Sequence, residues 1–260
     1  MAAVAAFFWG LVVGSFSNVC IWRLPREEQV VRGRSHCPAC GRLIVWYDNL
    51  PLLSFALLRG RCRGCRGPIS WRYPAVELLS GLGWAAVVAS WGPTPTALVY
   101  GAMISALIIV SFIDAKEQII PDVVTLPGLG LALAASFVWP ALHGTSGHPW
   151  GLWAGVLGAL AGGGSIYAMG AIGQWLFKKE AMGGGDVKLM AMLGALLGWQ
   201  KILIAFFIAP ILGSLVGVPL RIFRGQELIP YGPFLAIATL LALWWGQPIV
   251  AFYAQLLGGH

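Results

Sequence analysis

Met182-Gly183-Gly184-Gly185-Asp186-Val187-Lys188 sets an aspartate after three glycines, between two long apolar runs. An acidic residue so placed lies at or just inside a membrane surface. Charge at that depth is costly, and an ionisable residue there marks a functional site by default. Glycine has no Cβ, so Gly183, Gly184 and Gly185 let another backbone approach closely or let the chain bend unusually. A partner stands 72 residues earlier: Asp114, in Phe112-Ile113-Asp114-Ala115-Lys116, again at the end of an apolar run. Two carboxylates at the ends of two spans can meet around a water. The rest of the chain reads as the means of bringing them together.

The composition excludes a soluble globular domain. The chain is 58% hydrophobic and 10% charged, where soluble domains carry about 25% charged residues. We therefore expect an all-α polytopic membrane protein of about eight spans. Apolar stretches near the ~20 residues a bilayer requires fall at 3–22, 75–92, 95–113, 123–142, 150–175, 187–200, 202–220 and 231–253. The sixth and seventh are nearly continuous. Pro127 and Pro248 lie inside the fourth and eighth, so neither helix needs to be straight.

Charge sets the orientation. Between Arg23 and Arg72 stand ten arginines and three acidic residues, so the whole net charge of +7 sits in one loop. The positive-inside rule places that loop in the cytoplasm and the N-terminus outside. Alternation then puts 114–122, 176–186 and 221–230 on the cytoplasmic side as well, with Lys116, Lys178, Lys179, Arg221 and Arg224. Both aspartates fall on that side. Arginines beside a membrane suit anionic lipid headgroups, so we expect lipid contact and no nucleic acid. The first span has no basic region before it and is expected to be retained.

The loop 23–72 is a separate subdomain between the first span, 1–22, and a membrane domain, 73–260. It holds Cys37-Pro38-Ala39-Cys40 and Cys62-Arg63-Gly64-Cys65, with 21 residues between the pairs. Cys37, Cys40, Cys62 and Cys65 on two tight turns can form a closed structural zinc site, with Gly41 and Gly64 freeing the turns. A redox pair or spare thiols are the alternatives. Metal would supply much of the stability of so small a loop. Beyond it, Pro74 opens a helix and Glu77 is expected in its first turn, suiting the dipole; a role in binding is equally open. Asp122 after Pro121 is expected to cap the next helix. Ser15, Ser17 and Asn18 read as helix-packing residues, Cys20 as a packing residue. His143 and His148 flank a short loop expected to be external and solvated.

With these features in hand, the chain resembles the bacterial type IV prepilin peptidases (prepilin leader peptidase/N-methyltransferases), membrane aspartic proteases with a Gly-x-Gly-Asp signature. Gly14–Pro25, the paired cysteine knuckles with Trp71–Leu79, Phe112–Asp122, Gly183–Leu189 and Ile229-Pro230-Tyr231-Gly232-Pro233-Phe234 carry the resemblance in order. It implies that Asp114 and Asp186 are the catalytic pair, that the four cysteines bind zinc, and that 73–260 is the peptidase domain. It implies cleavage of type IV prepilins, or pseudopilins of type II secretion, at the cytoplasmic face of the inner membrane. N-methylation of the new terminus with S-adenosylmethionine is implied too. Gly183, Gly184 and Gly185 would accommodate an extended substrate strand, and Glu77 would join in binding. A proton-coupled transporter using the same aspartates is the rival from another class; it would place the carboxylates nearer mid-membrane and often shows a repeat between halves.

Overall fold

The computed structural model describes residues 1–178, 182–224 and 230–256, without the side chains of Phe177, Val218, Arg221, Arg224, Tyr253 and Ala254. Lys179, Ile229 and the side chains of Arg221 and Arg224, all read above, thus lie outside the described residues. The described chain is helical: α1 Ala2–Arg23, α2 Leu53–Leu57, α3 Arg72–Trp91, α4 Pro95–Glu117, α5 Asp122–Val138, α6 His148–Phe177, α7 Gly184–Leu197, α8 Trp199–Arg224 and α9 Gly232–Leu256. Among the described residues, pairing of extended segments is limited to two isolated bridges, His36 with Leu43 and Arg61 with Pro68.

Six of these helices are long and apolar enough to cross a membrane: α1, α3, α4, α6, α8 and α9. The two other expected spans are shorter. α5 has 17 residues, starting after Pro121 and stopping at Trp139. α7 has 14 and ends where Gly198 takes a positive φ of 79°, which divides the nearly continuous run into α7 and α8. At about 1.5 Å per residue α7 is roughly 21 Å long, less than the ~30 Å hydrocarbon core.

The chain forms two compact units, Met1–Phe112 and Ile113–His260. In the first, α1 packs along α3. Ser17 and Asn18 are buried in this packing, as the sequence indicated, and the Asn18 side-chain amide donates to the Tyr73 carbonyl at 3.0 Å. Arg23 is buried at the end of α1. Its guanidinium donates to the carbonyls of Gln29, Val30, Arg32, Gly33 and Arg34, folding the following loop around one cation.

In the second unit α7 is the central element. Leu189, Met190 and every residue from Met192 to Leu197 are buried. Burial of consecutive positions means that protein surrounds the helix on nearly all sides. α6 comes closest: a Cβ on Gly158 of α6 would collide with the backbone of Gly194 in α7, and the reverse. Small residues at such crossings let membrane helices touch backbone to backbone. α7 thus holds its first turn, and Asp186 in it, in a fixed place.

Candidate active site

Asp114 and Asp186 are brought together within the second unit. Asp114 lies in the last turn of α4 and is 6% exposed. Its Oδ2 accepts the backbone N–H of Gly232 at 2.7 Å. Gly232 is the first residue of α9, so this amide is one of the donors that a helix start leaves unpaired. Asp186 is the third residue of α7 and is half-buried. The charge of Asp114 acts on it, and the Gly183 amide lies beside its carboxylate. Each carboxylate therefore meets the positive end of a helix, α9 for Asp114 and α7 for Asp186. Two acids so close do not both ionise readily, and one retains its proton.

The three glycines divide by role. A Cβ on Gly185 would stand 2.8 Å from the Ile120 Cβ, whereas one on Gly184 would meet nothing within 4 Å. Gly183 is the N-cap of α7, and a Cβ there would stand 3.4 Å from Asp186 Oδ2. Among the described residues, only Gly184 of the three borders open space.

Two neighbours of the pair escaped the sequence reading. Gly232 was quoted only as part of a helix-opening motif. Tyr231 beside it has a buried hydroxyl without a hydrogen-bond partner among the described residues and feels the Asp186 charge. The sequence signal was there: Gly232 sits between Pro230 and Pro233, at a helix start whose amides are unpaired.

Asp122 does not cap α5 as expected. Pro121 occupies the N-cap, and no side chain bonds there. The Asp122 carboxylate instead takes both of its bonds from Lys188 Nζ, at 2.7 Å each. This ion pair joins the start of α5 to the second turn of α7 and commits Lys188 to Asp122.

The cysteine loop lies in the first unit. The sulfurs of Cys37, Cys40, Cys62 and Cys65 all lie within 4.8 Å of one another, and those of Cys37 and Cys65 are 4.0 Å apart. Four sulfurs on a tetrahedral zinc stand about 3.8 Å apart for ~2.3 Å bonds, so small shifts would close the set on an ion. The two knuckles have the same bonds. Cys37 N–H reaches Arg42 O and Gly41 N–H reaches Cys37 O; Cys62 N–H reaches Gly67 O and Arg66 N–H reaches Cys62 O. The residue in the left-handed region is Gly41 in one knuckle and Arg66 in the other. Gly64, expected to free the second turn, has no positive φ. Backbone N–H groups of Cys65 and Gly64 hold the Cys62 thiol at about 7, toward the thiolate that binds metal.

Glu77 lies beyond the first turn of α3, which contains no acid. It is buried, and its Oε2 accepts the Leu52 N–H at 2.8 Å. Its role is thus tied to the loop and not to the helix dipole. His143 is half-buried, not solvated; its Nε2 lies 2.9 Å from Ser136 Oγ, which is 2.9 Å from the Ala195 carbonyl. His148 is exposed.

Apolar helices of spanning length and a carboxylate pair at two helix starts define a class, the polytopic membrane proteins with a paired acidic site. Within it, the chain belongs to the type IV leader peptidase family. The model of that family matches residues 101–218, and that of the bacterial peptidase A24 N-terminal domain matches 8–91. Relatives named prepilin leader peptidase/N-methyltransferase are similar over most of the chain. That of Pseudomonas putida is 39% identical, over 96% of this chain and 92% of the relative. That of Aeromonas hydrophila is 38% identical, over 95% and 92%. That of Myxococcus xanthus is 41% identical over 86% of this chain, which spans 64% of that longer relative. No solved structure matches the chain.

Proposed function

We propose that this chain is a prepilin leader peptidase in which Asp114 and Asp186 are the catalytic pair, and that it also methylates the terminus it exposes. The observation that carries the reading is the meeting of Asp114 and Asp186, with the Gly232 amide bonded to Asp114 and the start of α7 at Asp186. The names of the relatives supply the substrate class, prepilins, and the family description supplies the type IV system; the pseudopilins of type II secretion are chemically equivalent candidates.

In this reaction the ionised carboxylate takes a proton from a water between the pair. The protonated one donates to the scissile carbonyl oxygen as it becomes tetrahedral. No covalent intermediate is required. The helix starts at α7 and α9 keep the shared negative charge tolerable in a half-buried place. Tyr231, whose hydroxyl lacks a partner among the described residues, would donate to substrate near Asp186. The open space at Gly184 is where an extended substrate backbone enters.

Cys37, Cys40, Cys62 and Cys65 would hold zinc, which supplies structural closure of the loop. S-adenosylmethionine would supply the methyl group. The basic loop and the carboxylate pair lie on the cytoplasmic side of the inner membrane, with the N-terminus outside and arginines against lipid headgroups.

The test is incubation of purified protein with a prepilin, followed by mass spectrometry. A product shortened at the leader junction, absent with Asp114→Asn and Asp186→Asn, is expected. An uncleaved prepilin with folded, zinc-loaded protein would overturn the reading.

A further inference from the structure

The loop between α1 and α3 presents an apolar ridge to its surroundings. Trp46, Leu50, Leu53 and Leu57 stand four, three and four residues apart. All four are exposed, Trp46 at 77% and Leu57 at 73%. Buried Ser54 makes one body of them. Its Oγ donates to the Tyr47 carbonyl at 2.8 Å and accepts the Leu50 N–H at 3.1 Å, which ties the turn Trp46–Asn49 to α2. A contiguous apolar surface outside the spanning helices marks a place of contact.

Two contacts set the ridge at the level of the first turns of α3, a helix of spanning length. Between Leu50 and Leu53, Leu52 takes a φ of 59°, a region a leucine rarely adopts. The buried Glu77 carboxylate accepts its N–H at 2.8 Å, and such a shape persists where surrounding contacts fix it. The Phe55 ring of α2 lies 4.8 Å from that of Trp71, the residue before α3. Glu77 is the sixth residue of α3, about 8 Å along the axis from Arg72 at ~1.5 Å per residue. The headgroup layer of one leaflet is about 5–8 Å thick. With Arg72 among the headgroups, Glu77 and the loop segment bonded to it reach the edge of the hydrocarbon. Trp46 and Trp71, both exposed, are of the residue type that favours this level.

The charge beside the ridge suits an anionic surface. Arg59 and Arg61 follow α2 and are exposed. Asp48, the one acid between Arg42 and Arg72, accepts from Arg63 at 2.7 and 2.8 Å, so its charge is matched within the loop. Apolar side chains flanked by basic ones let a segment lie in the membrane interface, its apolar face about 5–10 Å deep. We propose that Trp46, Leu50, Leu53 and Leu57 insert into the leaflet beside the start of α3, with Arg59 and Arg61 on the phosphates of anionic lipid. The cysteine loop is thereby seated on the bilayer, at a fixed distance from substrates that the membrane itself presents. The inference rests on the membrane placement in the proposed function and not on the peptidase chemistry.

The experiment reconstitutes the purified, zinc-loaded full chain in nanodiscs of phosphatidylglycerol and a phospholipid with a diazirine near the top of one acyl chain. Mass spectrometry after irradiation finds the labelled peptides, with α3 as internal standard and zinc content as the report on the loop's fold. Label on Trp46–Leu57 comparable with that on the first turns of α3 is expected. Leu53→Ser/Leu57→Ser, at two exposed positions, should lower the label on Trp46–Leu50 about fivefold, because insertion scales with buried apolar area. Arg59→Gln/Arg61→Gln leaves the ridge unaltered; that variant, and exchange of phosphatidylglycerol for phosphatidylcholine, should each lower it about twofold. An unlabelled ridge in zinc-loaded protein whose α3 is labelled would overturn the inference. So would parent-like label in Leu53→Ser/Leu57→Ser, or label indifferent to both the arginines and the lipid charge. A ridge that lipid leaves unlabelled but that cross-links to added prepilin would assign the surface to a protein instead. A labelled ridge in protein that never cleaves prepilin would support the inference and remove the peptidase reading; an unlabelled ridge in protein that cleaves would do the reverse.

Discussion

The backbone amide of Gly232 donates to Oδ2 of Asp114 at 2.7 Å, and the two residues are 118 positions apart in the chain. A Cβ on Gly232 would stand 2.9 Å from that same oxygen, so the carboxylate would have to move. Gly232→Ala is expected to lower prepilin cleavage about 100-fold, the scale on which an ångström of misplacement is felt. Its thermal stability should fall by no more than about 1–3 kcal/mol. Steady-state cleavage beside thermal unfolding measures both. Parent-like cleavage would show that this amide does not position Asp114.

Asp114 and Asp186 should behave as a unit. Asparagine keeps the shape of aspartate but neither takes nor gives the proton, so each single Asn substitution is expected to cost at least about 100-fold in cleavage. The double variant should be hardly worse than either single one, because groups that share one task are not additive. Asp122→Asn should retain most of the activity. Its partner Lys188 is more than one-third exposed and Asp122 more than half, and ion pairs at that exposure contribute about 0–1 kcal/mol. Matched cleavage assays on the four proteins decide it; a dead Asp122→Asn beside an active Asp114→Asn would exchange their roles.

The membrane class and both aspartates were legible because a charge ending an apolar run has few structural reasons to be there. The cysteine set was legible from local spacing. What the sequence could not convey lies in contacts between distant segments. An apolar run has the same composition whether lipid or protein surrounds it, so α7 read as a span although its 14 residues are largely buried in the protein. Arg23 read as one positive-inside charge among ten, yet it organises a loop through five carbonyls. Asp122 followed a proline at a helix start, the pattern of a cap, but Lys188, 66 positions away, takes its oxygens.

At the other end of α7, His143 should make stability depend on pH. Burial first, and the Lys201 ammonium second, hold its imidazole below the ordinary value. The folded chain therefore binds fewer protons here than the unfolded chain as pH falls through about 6.5. The stabilisation from this group is full above that pH and is lost on acidification toward the folded-state value. Thermal midpoints between pH 7.5 and 5.5 should fall, and the fall should be smaller by about 2 °C or more in His143→Gln, whose amide can still donate to Ser136. An identical decline in both proteins would place the acid sensitivity elsewhere.

The four cysteines should hold one metal between them. Following the closed four-ligand rule, purified protein is expected to contain about one zinc per chain. Cys37→Ser and Cys65→Ser should each lose it and expose the loop 27–70 to protease, since metal binding and folding of so small a segment are coupled. Metal analysis and limited proteolysis measure the two effects. Full zinc content in a Cys37→Ser/Cys62→Ser protein would show that the ion is bound elsewhere.

Gly184 and Gly185 separate substrate space from packing within one motif. Gly185 is pressed against Ile120, where a Cβ would stand at 2.8 Å, and Gly184 borders nothing within 4 Å. Gly185→Ala is therefore expected to destabilise the second unit by about 1–3 kcal/mol, as overpacking does, and to shift Asp186 with it. Gly184→Ala should unfold at the parent's temperature, because its methyl meets no atom of the described residues. If the prepilin backbone enters beside Asp186, that methyl occupies part of its path. KM should then rise about tenfold, a scale on which one added methylene is rejected, with little change in kcat. Parent-like KM in Gly184→Ala, with Gly185→Ala destabilised as expected, would mean that the substrate strand approaches the carboxylates from another side.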